Sequence, residues 1–356
     1  MTANRTEVCL ESLGENQEKT PMPYSLQGKT VLVTGGTGFI GRPLTAKLLS
    51  LGASVRVMIR NRNDAHTLAP GIDPVIGDLT DAESLRQAVR GCQTVVHLAA
   101  ALGDRFEPRA HFRQVNIEGT RSLAEAALSC GVERFIHISS VWAYGLVPCE
   151  GIDETFPLKA SNTPYGDTKA EGQKVVERLS MERALPSVIV QPGDVYGPAD
   201  QKWTVGPMTL MLSGNFKLID QGKGIFQPIF VDDLVEGIVL AAEKRRIGES
   251  YILCGAERTT FHEYFRQLAV IAGVQKLPSV PYWLAMTMAT LAESFARLTG
   301  GTPPFTRTGV RGTYRQDSYS MLKAKQQLGF QPRTSLAEGL KRIEAWSTRA
   351  PGAPVS

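Results

Sequence analysis

Tyr165 and Lys169 lie four residues apart, just after Pro164, at the head of a stretch with helical patterning. On a helix, positions i and i+4 share a face, so phenol and ammonium can work together. A free phenol has a pKa of about 10 and is a poor base near neutrality, but a nearby cation favours the phenolate. A tyrosine tuned in this way can give or take the proton of an alcohol while a hydride leaves or joins its carbon. Such a pair is common by chance and gains meaning only from its company. Ser139-Ser140-Val-Trp-Ala-Tyr-Gly145 leaves a strand-like run and could offer a hydroxyl to the reacting oxygen. Asn116-Ile-Glu-Gly-Thr120 places Asn and Gly in mid-helix, where both are unfavourable and need a reason.

Hydride chemistry needs a carrier, and the chain has a loop to hold one. Thr34-Gly35-Gly36-Thr37-Gly38-Phe39-Ile40-Gly41 follows a strand-like run and opens a helix. Gly35, Gly38 and Gly41 let the backbone turn tightly and approach a pyrophosphate at the helix N-terminus. That context between strand and helix turns a weak motif into a dinucleotide site. The second strand ends in Ile59-Arg60-Asn61-Arg62, without the carboxylate that usually takes the ribose 2′-hydroxyl of NAD. A guanidinium at Arg60 would instead meet a 2′-phosphate. NADP(H) is therefore the preferred cofactor, with NAD(H) as the other candidate.

The elements that must position these groups follow an alternating rhythm. Val31–Thr34, Val55–Ile59, Pro74–Ile76, Thr94–Leu98, Phe135–Ile138 and Val188–Val190 are continuous apolar runs that suit strands buried on both faces. Helical patterns fill about 81–90, 109–130 and 164–183 between them, which implies an α/β fold with a doubly wound parallel Rossmann sheet. After Pro192 helices dominate, at about 203–213, 232–244, 260–272, 281–298 and 335–347, with strands expected at 226–231 and 250–253. The expected organisation is a polar flexible tail over 1–26, a Rossmann domain over 27–196, and a smaller, mostly helical substrate lobe over 197–350. Parts of the lobe, about 226–256, are expected to return to the sheet.

Composition narrows the function classes. Hydrophobic residues make up 42% of the 356 and the net charge is +4, with no basic run, so no nucleic-acid partner is expected. Five cysteines, odd in number and dispersed, suit free thiols in a reducing compartment. His97 and His137 lie inside strand-like runs without ligand spacing, as packed core residues do, and no metal site is expected. The tail has no apolar core, which argues against a secretory or transit signal, and a cytoplasmic protein is expected. Trp283–Leu298 is too short to span a bilayer and lacks a strongly basic face, leaving at most weak contact with a membrane surface.

Taken together, these pieces resemble an extended short-chain dehydrogenase/reductase of the epimerase/dehydratase superfamily over about residues 28–348. The matching segments include TGGTGFIG at 34–41, Gly77-Asp78-Leu79, His97-Leu98-Ala99-Ala100, NIEGT at 116–120 and YGDTK at 165–169. Pro192-Gly-Asp-Val195-Tyr-Gly-Pro198, Phe230-Val-Asp-Asp-Leu234 and Leu328-Gly-Phe-Gln-Pro332 match as well. The resemblance implies that Asp78 and Leu79 flank adenine, Ala99 and Ala100 line the cofactor channel, and Lys169 also holds the nicotinamide ribose. It implies contacts to the cofactor from Thr37, Phe39, Ile40, Asn116, Pro192 and Val195. It also makes Ser140, 25 positions before Tyr165, the polarising hydroxyl, with Ser139 the lesser candidate. A homodimer through the helices at 109–130 and 164–183 is implied too.

Two departures bear on the reaction. Nucleotide-sugar members commonly carry an Arg just before the segment matching Phe230-Val-Asp-Asp; this chain has Phe226-Gln-Pro-Ile229 there. Dehydratases tend to place Asp-Glu beside the catalytic serine, where Val141 and Trp142 stand here. The apolar, Met-bearing stretch from Pro281 resembles the bacterial 3β-hydroxysteroid dehydrogenase-like branch, and soft apolar side chains suit a lipid-, β-keto acid- or polyketide-like substrate. The same stretch could equally be lobe core. Reversible hydride transfer to or from a secondary alcohol or ketone is the expected reaction. A nucleotide-sugar epimerase with retained NAD is the alternative, and a redox-coupled double-bond isomerase or a cofactor-sensing binding protein stands further off.

Overall fold

Odd and even residues of the first strand enter different cores, which is what a strand covered on both faces requires. In β1 (Thr30–Thr34), Val31 and Val33 join one cluster and Leu32 the other, all with no solvent exposure. The computed structural model describes residues 24–102, 108–244 and 247–349. Within them β2 (Ser54–Ile59), β3 (Ile72–Ile76), β4 (Thr94–His97), β5 (Arg134–Ile138), β6 (Ser187–Pro192) and β7 (Ser250–Leu253) complete a seven-stranded sheet. Its order is β3-β2-β1-β4-β5-β6-β7 and every pairing is parallel. The order reverses between β1 and β4, where a doubly wound sheet opens its ligand crevice.

Helices cover both faces. In chain order they are α1 (Gly41–Ser50), α2 (Ala82–Val89), α3 (Arg109–Arg113), α4 (Thr120–Ser129), α5 (Pro164–Arg183), α6 (Gly206–Leu212) and α7 (Val231–Glu243). Then follow α8 (Phe261–Ile271), α9 (Tyr282–Thr299), α10 (Arg307–Tyr314), α11 (Leu322–Leu328) and α12 (Leu336–Ser347). Leu44 and Leu48 of α1 and Leu234 and Ile238 of α7 pack on Val31, Val33, Val55 and Val57. On the opposite face Leu85 of α2, Leu123 of α4 and Val176 of α5 pack on Leu32, Val95 and Phe135.

Four expectations change in detail. Of the tail expected over 1–26, residues 1–23 lie outside the described residues, whereas Leu26 is fully buried and the Tyr24 hydroxyl meets Thr94 Oγ1 at 2.8 Å. The helix expected over 109–130 is broken: a wider π turn, Gln114–Gly119, joins α3 to α4. The strand expected at 226–231 is two fragments outside the main sheet, Ile225–Phe226 and Pro228–Phe230; the latter pairs in parallel with Asp194–Tyr196. Of the returning region, α7 packs on the sheet and β7 extends it. Finally, α10 and α11 were not foreseen.

The lobe has an aromatic core of its own, in which Phe226 stands 4.9 Å from Phe261 and 4.5 Å from Tyr264 between ring centroids. On α9 the buried positions are Ala285, Ala289, Glu293 and Ala296, while Leu291, Phe295 and Leu298 are exposed. The Met-bearing stretch is therefore only thinly a core element. Among the described residues no helix is long and apolar enough to cross a membrane.

Candidate active site

The glycine loop is as tight as its composition requires. Gly35 has φ +73° and lies so close to the end of β4 that a Cβ would stand 2.9 Å from the Ala99 nitrogen; one at Gly41 would stand 2.2 Å from the Gly35 oxygen. α1 starts without a side-chain cap at Ile40 and has no acid in its first turn. Its positive dipole end is therefore uncompensated and suits an anion. That cradle fits a dinucleotide pyrophosphate, and Thr37, Gly38, Phe39 and Ile40 line the same loop. Arg60 is exposed just past β2, and Asp78 and Leu79 follow β3. Burial raises the Asp78 carboxyl, but the Thr80 amide and hydroxyl, at 2.8 and 2.7 Å, with the charges of Arg60 and His111, hold it below its usual range. Ala99 and Ala100 follow β4, Pro192 ends β6, and Val195 packs with Phe39 and Ile40 beside it. All of these positions stand at the carboxyl edge of the sheet.

The residues expected from sequence to handle the proton gather at the same edge, from β5 and α5. Ser140 ends the excursion from β5 by capping a 3₁₀ turn, Val141–Tyr144, its Oγ accepting the Trp142 N–H at 3.2 Å. A hydroxyl that accepts from the backbone keeps its own proton to donate. Ser139, the lesser candidate, is buried with an unpartnered hydroxyl. Thr163 caps α5 and Pro164 occupies its first turn, so Tyr165 is presented at the helix start. Lys169, one turn on, is buried, and its ammonium donates to the Ile138 carbonyl at 2.5 Å. Burial pulls its pKa down to about 8.

Asn116 explains its place in mid-helix. Its side chain clamps Ala101, accepting from the Ala101 N–H at 2.7 Å and donating to the Ala101 carbonyl at 3.1 Å, and also donates to Thr168 Oγ1 at 3.0 Å. A Cβ at Gly172 of α5 would stand 2.4 Å from the Asn116 carbonyl oxygen. The π turn thus lets one residue tie the end of β4 to the helix bearing Tyr165 and Lys169. Below them His97 links β1 to α4, with Nδ1 on Thr34 Oγ1 at 2.8 Å and Nε2 on Thr120 Oγ1 at 2.9 Å. Its ring stands 5.5 Å from that of His137. Among the described residues no group of His, Cys, Asp and Glu could hold a metal.

Beside this edge the lobe borders an open cavity of about 650 Å³. Its walls come from Trp142 on the sheet side, from Trp203, Phe261 and Phe265, and from Met288 and Phe305 of the apolar stretch. Trp142 stands edge-on to Tyr165, with ring centroids 6.1 Å apart at 71°. Gly312 of α10 lets the indole fit, since a Cβ there would lie 2.7 Å from its Cη2.

Several residues of this region escaped sequence reasoning. Arg315 and Asp194 form a buried ion pair, and the Tyr319 hydroxyl donates to the buried Asp317 carboxylate. Gln227 is buried and clamps Tyr319, its Oε1 accepting from the Tyr319 N–H at 2.8 Å and its Nε2 donating to the Tyr319 carbonyl at 3.0 Å. Asp194 opens a three-residue strand and the others are single polar residues outside the main elements, without a spacing to betray them.

The model of the NAD dependent epimerase/dehydratase family matches residues 31–254. A 4-hydroxy-2-methyl-3-oxo-4-farnesyl-3,4-dihydroquinoline-1-oxide ketoreductase of Stigmatella aurantiaca is 29% identical over 328 residues, 90% of this chain and 97% of its own. A 3-beta-hydroxysteroid dehydrogenase of Mycolicibacterium neoaurum is 29% identical over 324 residues, covering 85% and 87%. Among solved structures, the dTDP-glucose 4,6-dehydratase of Streptomyces venezuelae with NAD bound superposes with a TM-score of 0.73 at 26% identity, over 90% of this chain and 97% of that one. With the parallel sheet and glycine loop, these likenesses make the chain a member of the NAD-dependent epimerase/dehydratase family, an extended short-chain dehydrogenase/reductase and NAD(P)-dependent oxidoreductase of the 3β-hydroxysteroid dehydrogenase-like branch.

Proposed function

We propose that the protein interconverts a secondary alcohol and a ketone on an apolar substrate held in the lobe cavity, with NADP(H) as its preferred cofactor. The observation that carries this reading is Trp142, whose indole both lines the apolar cavity and stands against Tyr165. A ligand filling that cavity would present its reactive carbon at the carboxyl edge of the sheet. When bound, the nicotinamide supplies or accepts the hydride. Ser140 donates a hydrogen bond to the substrate oxygen and fixes its position, keeping its own proton. Tyr165 then gives its proton to that oxygen during reduction, or takes it during oxidation. Lys169, while charged, favours the phenolate and so makes the tyrosine usable in both directions. The largely apolar lining of the cavity suits an apolar substrate.

The direct test is Tyr165→Phe, assayed by nicotinamide absorbance over ketosteroids, β-keto acids and related ketones. Turnover should fall by roughly 10²–10⁴-fold, the usual scale of an acid–base group, while cofactor binding persists. Near-wild-type turnover would sink the mechanism.

A further inference from the structure

Ser140 and Tyr165 belong to different elements, and the chain between them is irregular from Gly145 to Thr163. The segment after α10 pins that stretch near its middle. The Ile152 N–H donates to the Ser318 carbonyl at 2.9 Å, and the Ser320 N–H donates to the Ile152 carbonyl at 2.8 Å. Tyr319, between these two bonds, reaches the turn that Ser140 caps. Its ring packs with Val141, Trp142 and Tyr144, 6.3 Å from the Tyr144 ring between centroids, and Tyr165 packs against the same cluster. Its hydroxyl oxygen lies 3.5 Å from the Val141 carbonyl oxygen. Tyr319 itself is held at both ends. The one proton of its hydroxyl goes to the buried Asp317 carboxylate, and the Gln227 amide takes both of its backbone groups. A side chain locked in this way is a firm support for what packs on it.

We propose that Tyr319 is a positioning residue that acts through Ser140, holding the turn at 141–144 so that the serine hydroxyl meets the reacting oxygen. The inference rests on the hydride-transfer reading above, in which Ser140 binds that oxygen. A hydrogen bond that strengthens as charge develops on the oxygen contributes to turnover more than to binding, so misplacing its donor lowers kcat. In Tyr319→Phe the ring loses its anchor on Asp317 and the turn gains freedom.

The experiment is a double-mutant cycle of Ser140→Ala and Tyr319→Phe, assayed with NADPH and the ketone that the wild type reduces fastest. Ser140→Ala should lower kcat about 10²–10³-fold, the scale of one lost donor to a developing oxyanion. Tyr319→Phe should lower kcat about 10–100-fold, the scale of a misplaced group, with Kd for NADPH unchanged. In the Ser140→Ala background Tyr319→Phe should cost less than about twofold, because the group it positions is gone. An equal loss in both backgrounds, or wild-type kcat in Tyr319→Phe, overturns the proposal. If Ser140→Ala alone leaves kcat unchanged, the assigned role of Ser140 falls first, and the proposal with it. Tyr319→Phe also strands a buried carboxylate, which can destabilise the fold. Tyr319→Phe/Asp317→Asn removes that charge and should show the same loss of kcat; recovery of kcat there overturns the proposal. Amide hydrogen exchange with NADPH bound is independent of turnover. The Trp142, Ala143 and Gly145 N–H groups, bonded to Ser140 Oγ, the Ser140 carbonyl and the Trp142 carbonyl, should exchange about 10-fold faster in Tyr319→Phe, with β1 and β4 unaltered. Unchanged exchange overturns the proposal. If the turn loosens but the wild type reduces no ketone, the hydride-transfer reading falls while the hold of Tyr319 on the turn stands.

Discussion

At the scale of single residues, the site depends on how burial and neighbouring charges set protonation. Lys169 is drawn down to about 8 by burial, so it keeps most of its charge at neutral pH and loses it a little above. In the proposed mechanism its support for the Tyr165 phenolate fades over the same range. Arg60 acts at the other end of the cofactor site, where its charge already helps hold the Asp78 carboxyl low. If it meets a 2′-phosphate, Arg60→Ala should lower the NADPH-to-NADH ratio of kcat/KM by about 10–100-fold, the scale of hydrogen bonds to a charged group. An unchanged ratio would remove the case for NADP. Both residues could be picked out from sequence, Lys169 by its four-residue spacing from Tyr165 and Arg60 by its place at the end of the second strand.

At the scale of elements, β4 is tied to its neighbours through a histidine that must stay neutral. Burial, with a lesser effect from Lys169, pulls His97 down to about 3, and burial with Lys169 and His97 pulls His137 well below its usual value. The unfolded chain takes up these protons near pH 6.5, whereas the native protein resists until far lower pH. The unfolded state thus binds more protons between about 6.5 and 3, so the stability is fully present above 6.5 and drains away as pH falls through that window. Each group contributes a slope of at most about 1.4 kcal/mol per pH unit. Urea melts of His97→Gln between pH 4 and 6 should show a slope smaller by about that amount; an unaltered slope would mean that His97 charges in the native state. The same elements show what sequence could tell. Apolar runs marked the strands from β1 to β6, because burial on both faces of the central ones leaves little room for polar residues; β3, at the sheet edge, is largely exposed and carries Asp73. α5 was equally plain from Pro164 and its cap. The π turn was not, since it depends on Gly172 of a distant helix admitting the Asn116 carbonyl. α10 and α11 are too short to carry a periodic signal.

At the scale of the whole molecule, the lobe and the sheet meet at the cavity, and buried polar groups fix how they meet. The Arg315–Asp194 pair and the Gln227–Tyr319 clamp hold the segment after α10 against the strand pair at 194–196 and 228–230. The seam passes Gly312, where the lobe touches Trp142. Gly312→Ala would drive the added methyl against the indole, and overpacking of this kind costs about 1–3 kcal/mol. We expect a lower melting temperature together with a several-fold loss of kcat/KM, because the displaced ring also borders Tyr165. A variant as stable and active as the wild type would show that the indole is not confined.

That contact also constrains how this enzyme could change over evolutionary time. Positions 312 and 142 are far apart in the chain but compete for one volume, so substitutions there will not act independently. A larger residue at 312 becomes acceptable only after the ring at 142 has shrunk, and the smaller ring must then still border Tyr165. New substrate ranges are therefore reached most readily through the far wall of the cavity, along α9 and residues 304–305, where change leaves the proton-transfer machinery untouched.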